Sequence, residues 1–188
     1  NYDKALSLYA DFRECFHSPR VIEADEVKRT SFFADTYQRG MEGAAWCALK
    51  TGNPSLVLNY LQDGDSVAER FLPGRAFQVQ RSSTWSRVGR QLLEDGHTEE
   101  ATVALRLAAD LSDPLFTAYP WHTYNTVSYG SAHLDLARIF RQSGDADAEL
   151  PHLRAFAEYC EVIQGEDQSD LRRQTRFVRQ AHLSKVRG

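Results

Sequence analysis

Two four-residue runs share a pattern that can ligate metal: Glu14-Cys15-Phe16-His17 and Glu149-Leu150-Pro151-His152. A Glu and a His three residues apart lie on one side of a helix. Two such pairs on facing helices, with two further Glu, build carboxylate-bridged di-iron centres in four-helix bundles. That chemistry needs ligands inside a bundle, on helices that continue past them. Here the first pair runs into Ser18-Pro19, the second straddles Pro151 in what reads as a first helical turn, and no clear pair of bridging Glu accompanies them. The expectation is helix-terminal polar residues and no metal.

The remaining reactive residue types lead the same way. His97, His122, His133 and His182 have no metal-ligand spacing; His97 falls in a turn, and His133 reads as a partly buried member of a helix stripe. Gly40-Met41-Glu42-Gly43 lacks the strand before it and the Lys-Ser/Thr after it that a phosphate loop requires. In Gly144-Asp145-Ala146-Asp147-Ala148-Glu149 the Gly and the Glu are misplaced for a calcium loop. There is no G-x-S-x-G elbow, and no Ser or Cys has a neighbouring His that would imply a nucleophile. Cys15, Cys47 and Cys160 are odd in number and far apart, which argues against a disulfide framework or zinc ribbon and for a reducing, cytoplasmic compartment. No catalytic residue and no cofactor is expected.

The elements that carry these residues are helices with repeated punctuation. Thr51-Gly52-Asn53-Pro54, Asp95-Gly96-His97-Thr98 and Ser143-Gly144-Asp145-Ala146 each place a Gly where a helix would end in a left-handed residue. A helix start follows each one: Asn53 ahead of Pro54, then Thr98, then Asp145 as candidate N-caps. Apolar stripes flank the turns: Met41, Ala45, Ala48 with Leu56, Tyr60; Trp85, Val88, Gly89, Leu92 with Ala101, Ala104, Leu105, Ala108, Leu111; and His133, Leu136, Ala137, Phe140 with Leu153, Phe156, Ala157, Cys160. Ala5, Leu8, Tyr9, Phe12 and Phe16 mark a lone first helix, and Asp113-Pro114 reads as a helix end. Strand signals are nearly absent.

Trp85-x-x-Val88-Gly89-x-x-Leu92, with Gly96, Ala101, Leu105, Ala108 and Pro114, resembles a tetratricopeptide repeat. Leu134-x-x-Ala137-x-x-Phe140 with Gly144 and Ala148, and Met41, Ala45 and Ala48 with Gly52, are looser copies. The glycines stand 44 and 48 residues apart, longer than the family's period of about 34. The resemblance implies an all-α fold, a right-handed array of antiparallel helical hairpins (an α-solenoid). Small residues at Gly89 and Ala101 would let paired helices approach, and first helices would line a concave, peptide-receiving groove. The Lys/Asn grid of the family's carboxylate-clamp members is not evident at Ser83, Arg87, Ser131 and Asp135. The expected organisation is one helical-repeat domain over 1–188. It comprises a lone helix at 2–17, hairpins at about 24–63, 75–111 and 121–164, and a closing helix at 167–186.

Arg90 and Arg138 take matching places in successive units, and with Arg87 and Arg141 they form the expected basic face for an acidic ligand. The aromatic stretch Phe116-Thr-Ala-Tyr119-Pro-Trp121-His-Thr-Tyr124 either staples an inter-repeat loop or contacts a partner. Tyr119, Trp121 and Tyr124 complete the candidate partner-binding set. From Leu171 onward there are six basic residues and no acidic ones, so residues 1–170 carry a net charge of −10 within a chain of −4. Leu171, Val178 and Ala181 can cap the end of a stack. The acidic body disfavours a nucleic-acid partner. No run approaches the ~18 apolar residues of a membrane span, and the start at NYDKALSLYADF, with no Met and no cleavage site, reads as part of something longer. The expected function is a non-catalytic scaffold for a protein or peptide partner. A regulatory or assembly segment of a larger enzyme and an RNA-binding helical-repeat protein are the alternatives, and the sequence is silent on oligomeric state.

Overall fold

A computed structural model describes residues 2–18, 31–71, 74–120 and 122–165. Among these the chain is all-α, with α1 (Tyr2–His17), α2 (Ser31–Lys50), α3 (Pro54–Phe71), α4 (Arg75–Glu94), α5 (Thr98–Ala118), α6 (Thr123–Ser143) and α7 (Ala146–Gly165). The expected closing helix at 167–186, residues 24–30 of the first expected hairpin, and Trp121 lie outside the described residues.

The three glycine turns share one geometry. Gly52, Gly96 and Gly144 have φ of 71°, 86° and 76°. At each turn two backbone bonds close the preceding helix: Asn53 N–H to Ala48 O and Gly52 N–H to Leu49 O, His97 to Leu92 and Gly96 to Leu93, Asp145 to Phe140 and Gly144 to Arg141. These are Schellman closures, in which a residue without Cβ takes the left-handed position. The helix starts are less uniform. Asp145 caps α7 through Oδ1 on the Ala148 N–H at 3.0 Å. The Asn53 side chain instead donates to Thr51. Thr98 is already inside α5, whose N-cap is His97 with no side-chain bond.

Each turn joins two helices that pack along one another: α2 with α3, α4 with α5, α6 with α7. Next, α6 packs on both α4 and α5, α1 lies on α2, and α3 meets α4 and α5 more sparingly. One apolar core runs from Phe16 through Met41, Trp85, Leu92 and Leu105 to Leu136 and Phe140; a second groups Phe116, Tyr129, Tyr159 and Ile163. Glycines set the closest approaches. A Cβ on Gly89 would lie 2.7 Å from Leu105 Cγ and 3.2 Å from Ala104 Cβ, and one on Gly130 would lie 2.5 Å from Tyr159 Cγ.

Some stripes are shifted from expectation. Leu8 is 61% exposed and Leu56 40% exposed, while Leu6 and Val57 face the core. On α7 the buried residues are Tyr159 and Ile163, with Leu153, Phe156 and Cys160 half-buried and Ala157 exposed. The helix turns its larger ring into the gap that Gly130 leaves. Asp113-Pro114 does not end α5, which continues to Ala118. Pro114 deprives only the Asp110 carbonyl of a donor, and Asp110 is exposed, so water can replace it. Pro151 likewise sits inside α7, in its second turn, with exposed Asp147 as the affected carbonyl.

Candidate functional site

The arginines of the expected basic face fall into two groups. Arg90 on α4 and Arg138 on α6 do converge, but on Asp135, one turn before Arg138. Arg90 Nε donates to Asp135 Oδ2 at 2.8 Å and Arg138 Nη1 to Oδ1 at 2.9 Å. The carboxylate side chain is 2% exposed, so one buried acid holds two guanidiniums and binds α4 to α6. Each arginine keeps a buried Nη2 with no partner. Arg141 pairs with Glu149 across the α6–α7 turn, Nη2 to Oε1 at 2.6 Å, and Arg87 is exposed, 5.3 Å over the Trp46 ring. The four arginines therefore have internal partners, and two of them, partly solvated, share one buried carboxylate.

The aromatic positions separate as well. Tyr119 is 37% and Tyr124 69% exposed, and the Arg75 guanidinium lies 3.9 Å over the Tyr119 ring. Phe116 instead turns inward and stacks on Tyr129 at 4.0 Å between nearly parallel planes.

Beside that stack lies a chain of titratable groups that sequence spacing did not reveal. His133 Nε2 meets Asp113 Oδ1 at 2.9 Å, and His133 Nδ1 meets His152 Nδ1 at 2.9 Å. Asp113 is on α5, His133 on α6 and His152 on α7, so the chain ties three helices together. His133 is buried, with its ring edge-on to Tyr129, and His152 stacks on Phe140. Burial lowers the His152 pKa below the usual imidazole value, the neighbouring His133 and the Arg106 charge lower it further, and Asp113 opposes them. Tyr129 OH donates to Glu158 at 3.4 Å, and burial followed by the charges of Glu158 and Asp113 raises its pKa.

A second polar network fills the seam where α4 meets α2 and α3. Arg81, with 8% of its side chain exposed, places Nε 2.9 Å from Asp65 Oδ1 and Nη2 2.7 Å from Glu69. Trp85 Nε1 donates to Asp65 Oδ2 at 2.6 Å. Glu42 accepts from Thr84 Oγ1 at 3.1 Å and from Gln80 Nε2 at 3.4 Å. Burial raises the Glu42 pKa above the ordinary carboxylate range; the bonds from Thr84 and Gln80 and the Arg39 charge act against that rise.

The two Glu-x-x-His runs occupy separate neighbourhoods. His17 Nε2 lies 3.0 Å from Tyr37 OH and 3.5 Å from Asp63. Asp63 also accepts from Arg13 Nε at 2.7 Å and from the Tyr37 hydroxyl, which ties α1 to α2 and α3. Among the described residues no cluster of three His, Cys, Asp or Glu could hold a metal ion, and no helix is long and apolar enough to cross a membrane. Comparisons with protein-family models, curated proteins and solved structures returned no match.

Proposed function

We propose that the chain is a non-catalytic interaction scaffold, a right-handed array of antiparallel hairpins (α2–α3, α4–α5, α6–α7) that holds a peptide or partner protein. The observation that carries this reading is the exposed aromatic edge where α5 passes into α6. Tyr124 and Tyr119 stand in solvent with Arg75 stacked on Tyr119. Tyr and Arg are the side chains that most often anchor protein contacts, because they combine large area with directed hydrogen bonds at small entropic cost. The packing beneath supports the reading too. Glycine-mediated contacts and buried ion pairs hold the helices in place, so little freedom is lost when a partner docks. The test is a side-by-side capture from native lysate by wild type and by a Tyr119→Ser/Tyr124→Ser double variant of unchanged stability. A partner retained only by wild type is the expected result, and equal retention by both chains overturns the reading.

A further inference from the structure

The seam between α2, α3 and α4 contains a small cleft with Gln38, Glu42, Asp65 and Thr84 on its polar side and Met41, Leu61 and Trp85 on its apolar side, with room for about one water-sized group. Two acceptor groups on the polar side, those of Gln38 and Glu42, set its chemistry. Gln38 is 2% exposed, and its amide oxygen is buried without a hydrogen-bond partner. A buried acceptor left in that state destabilises the fold unless something donates to it. Glu42 is bonded only by the neutral donors of Thr84 and Gln80. The seam's guanidinium is committed elsewhere, since Arg81 spans Asp65 and Glu69, and Trp85 takes the second Asp65 oxygen. The cleft thus has an orphan acceptor and a half-buried carboxylate with no cation in hydrogen-bond contact, the Arg39 charge acting on it only from a distance.

We propose that this cleft receives a primary ammonium group, the tip of a lysine side chain on the bound peptide, which donates to Gln38 Oε1 and to the Glu42 carboxylate. The peptide as carrier rests on the scaffold reading above. An ammonium is a compact charge with three donors and no acceptor, which suits the Gln38 and Glu42 oxygens in a space of this size, while Met41 and Leu61 can line its methylene stem. A planar guanidinium is too wide for it. A water molecule could satisfy Gln38 but would leave the Glu42 carboxylate without a contact cation. Residues 1–170, at a net −10, favour a basic partner over an acidic one.

The probe is n-butylammonium chloride, titrated into the isotope-labelled full chain. The readouts are the Trp85 indole N–H and Gln38 side-chain amide resonances. Expected are saturating shifts with butylammonium and none with n-butanol or with sodium chloride at equal ionic strength. Affinity should fall about tenfold or more in Glu42→Gln, which removes the charge and keeps the shape. Glu42→Gln should also be no less stable than wild type at neutral pH, because the charge it removes is partly buried and has no cation in contact. Absence of saturation, an equal response to sodium chloride, or full binding by Glu42→Gln each overturns the proposal. The two tests fail independently. Lysate capture that depends on the tyrosines, with no ammonium binding, sinks only the cleft; ammonium binding without such capture sinks the scaffold and the peptide as carrier, and leaves the ammonium site standing.

Discussion

The Nδ1 atoms of His133 and His152 face each other at 2.9 Å, so one ring must donate to the other. His133 Nε2–H donates to Asp113, and a single proton lies between the two Nδ1 atoms. A proton on both Nδ1 atoms would set N–H against N–H and abolish the bond. Asp113, Arg106, Tyr129 and Glu158 are the other ionisable groups around the pair.

The sign of the pH dependence follows from the lowered pKa of His152, caused by burial, His133 and Arg106. The unfolded chain takes up protons as pH drops below about 6.5, before the folded chain does. The contribution of His152 is therefore complete above that value and is lost as pH falls through the folded pKa. Urea unfolding between about pH 8 and 5 should show a steeper acid loss in wild type than in His152→Gln, which keeps an amide for His133. Parallel curves would show that the pair does not couple to folding.

Asp135 serves two guanidiniums from a site that is 2% exposed. Asp135→Asn keeps the shape and leaves Arg90 and Arg138 repelling one another. The expected loss is about 2–4 kcal/mol, below that of a fully buried pair because both arginines are partly solvated. Arg141→Ala breaks an exposed pair with Glu149 and should cost ~0.5 kcal/mol. Denaturant midpoints check both, and similar losses would contradict a special role for Asp135.

Gly130→Ala pits propensity against packing. Ala in place of an interior helical Gly normally gains about 1 kcal/mol, but the new methyl would sit 2.5–2.6 Å from three atoms of the Tyr159 ring. The root of that ring cannot swing away, so a net loss of about 1–3 kcal/mol is expected. A double-mutant cycle with Tyr159→Ala should recover most of it. Gly96→Ala meets no neighbour, and its cost of about 1–2 kcal/mol would come from φ alone.

The helices and their turns were readable because their causes are local. A Gly at the left-handed position and an apolar residue every three or four places carry their own physical signature, and both stand in the structure at Gly52, Gly96 and Gly144. The failures are of two kinds. Where a stripe had neighbours of equal hydrophobicity, its rotation was undetermined: Leu8 and Leu56 point outward, and Tyr159 replaces Ala157 in the core of α7. Partners distant in sequence were invisible. Nothing local joins Asp113 to His133 and His152, or tells that Asp135 already occupies Arg90 and Arg138. Pro114 misled because a proline near an exposed carbonyl costs a helix little.

The Arg81–Asp65–Trp85 arrangement has a consequence for how the molecule reports on itself. Guanidinium ion is the free form of the Arg81 head group and competes directly for Asp65 and Glu69, whereas urea carries no charge to do so. The indole of Trp85, hydrogen-bonded to Asp65, is a fluorophore placed at the point of competition. Its emission should change in dilute guanidinium chloride before the helices melt, while equally dilute urea leaves it dark to the change. The seam carries its own optical gauge.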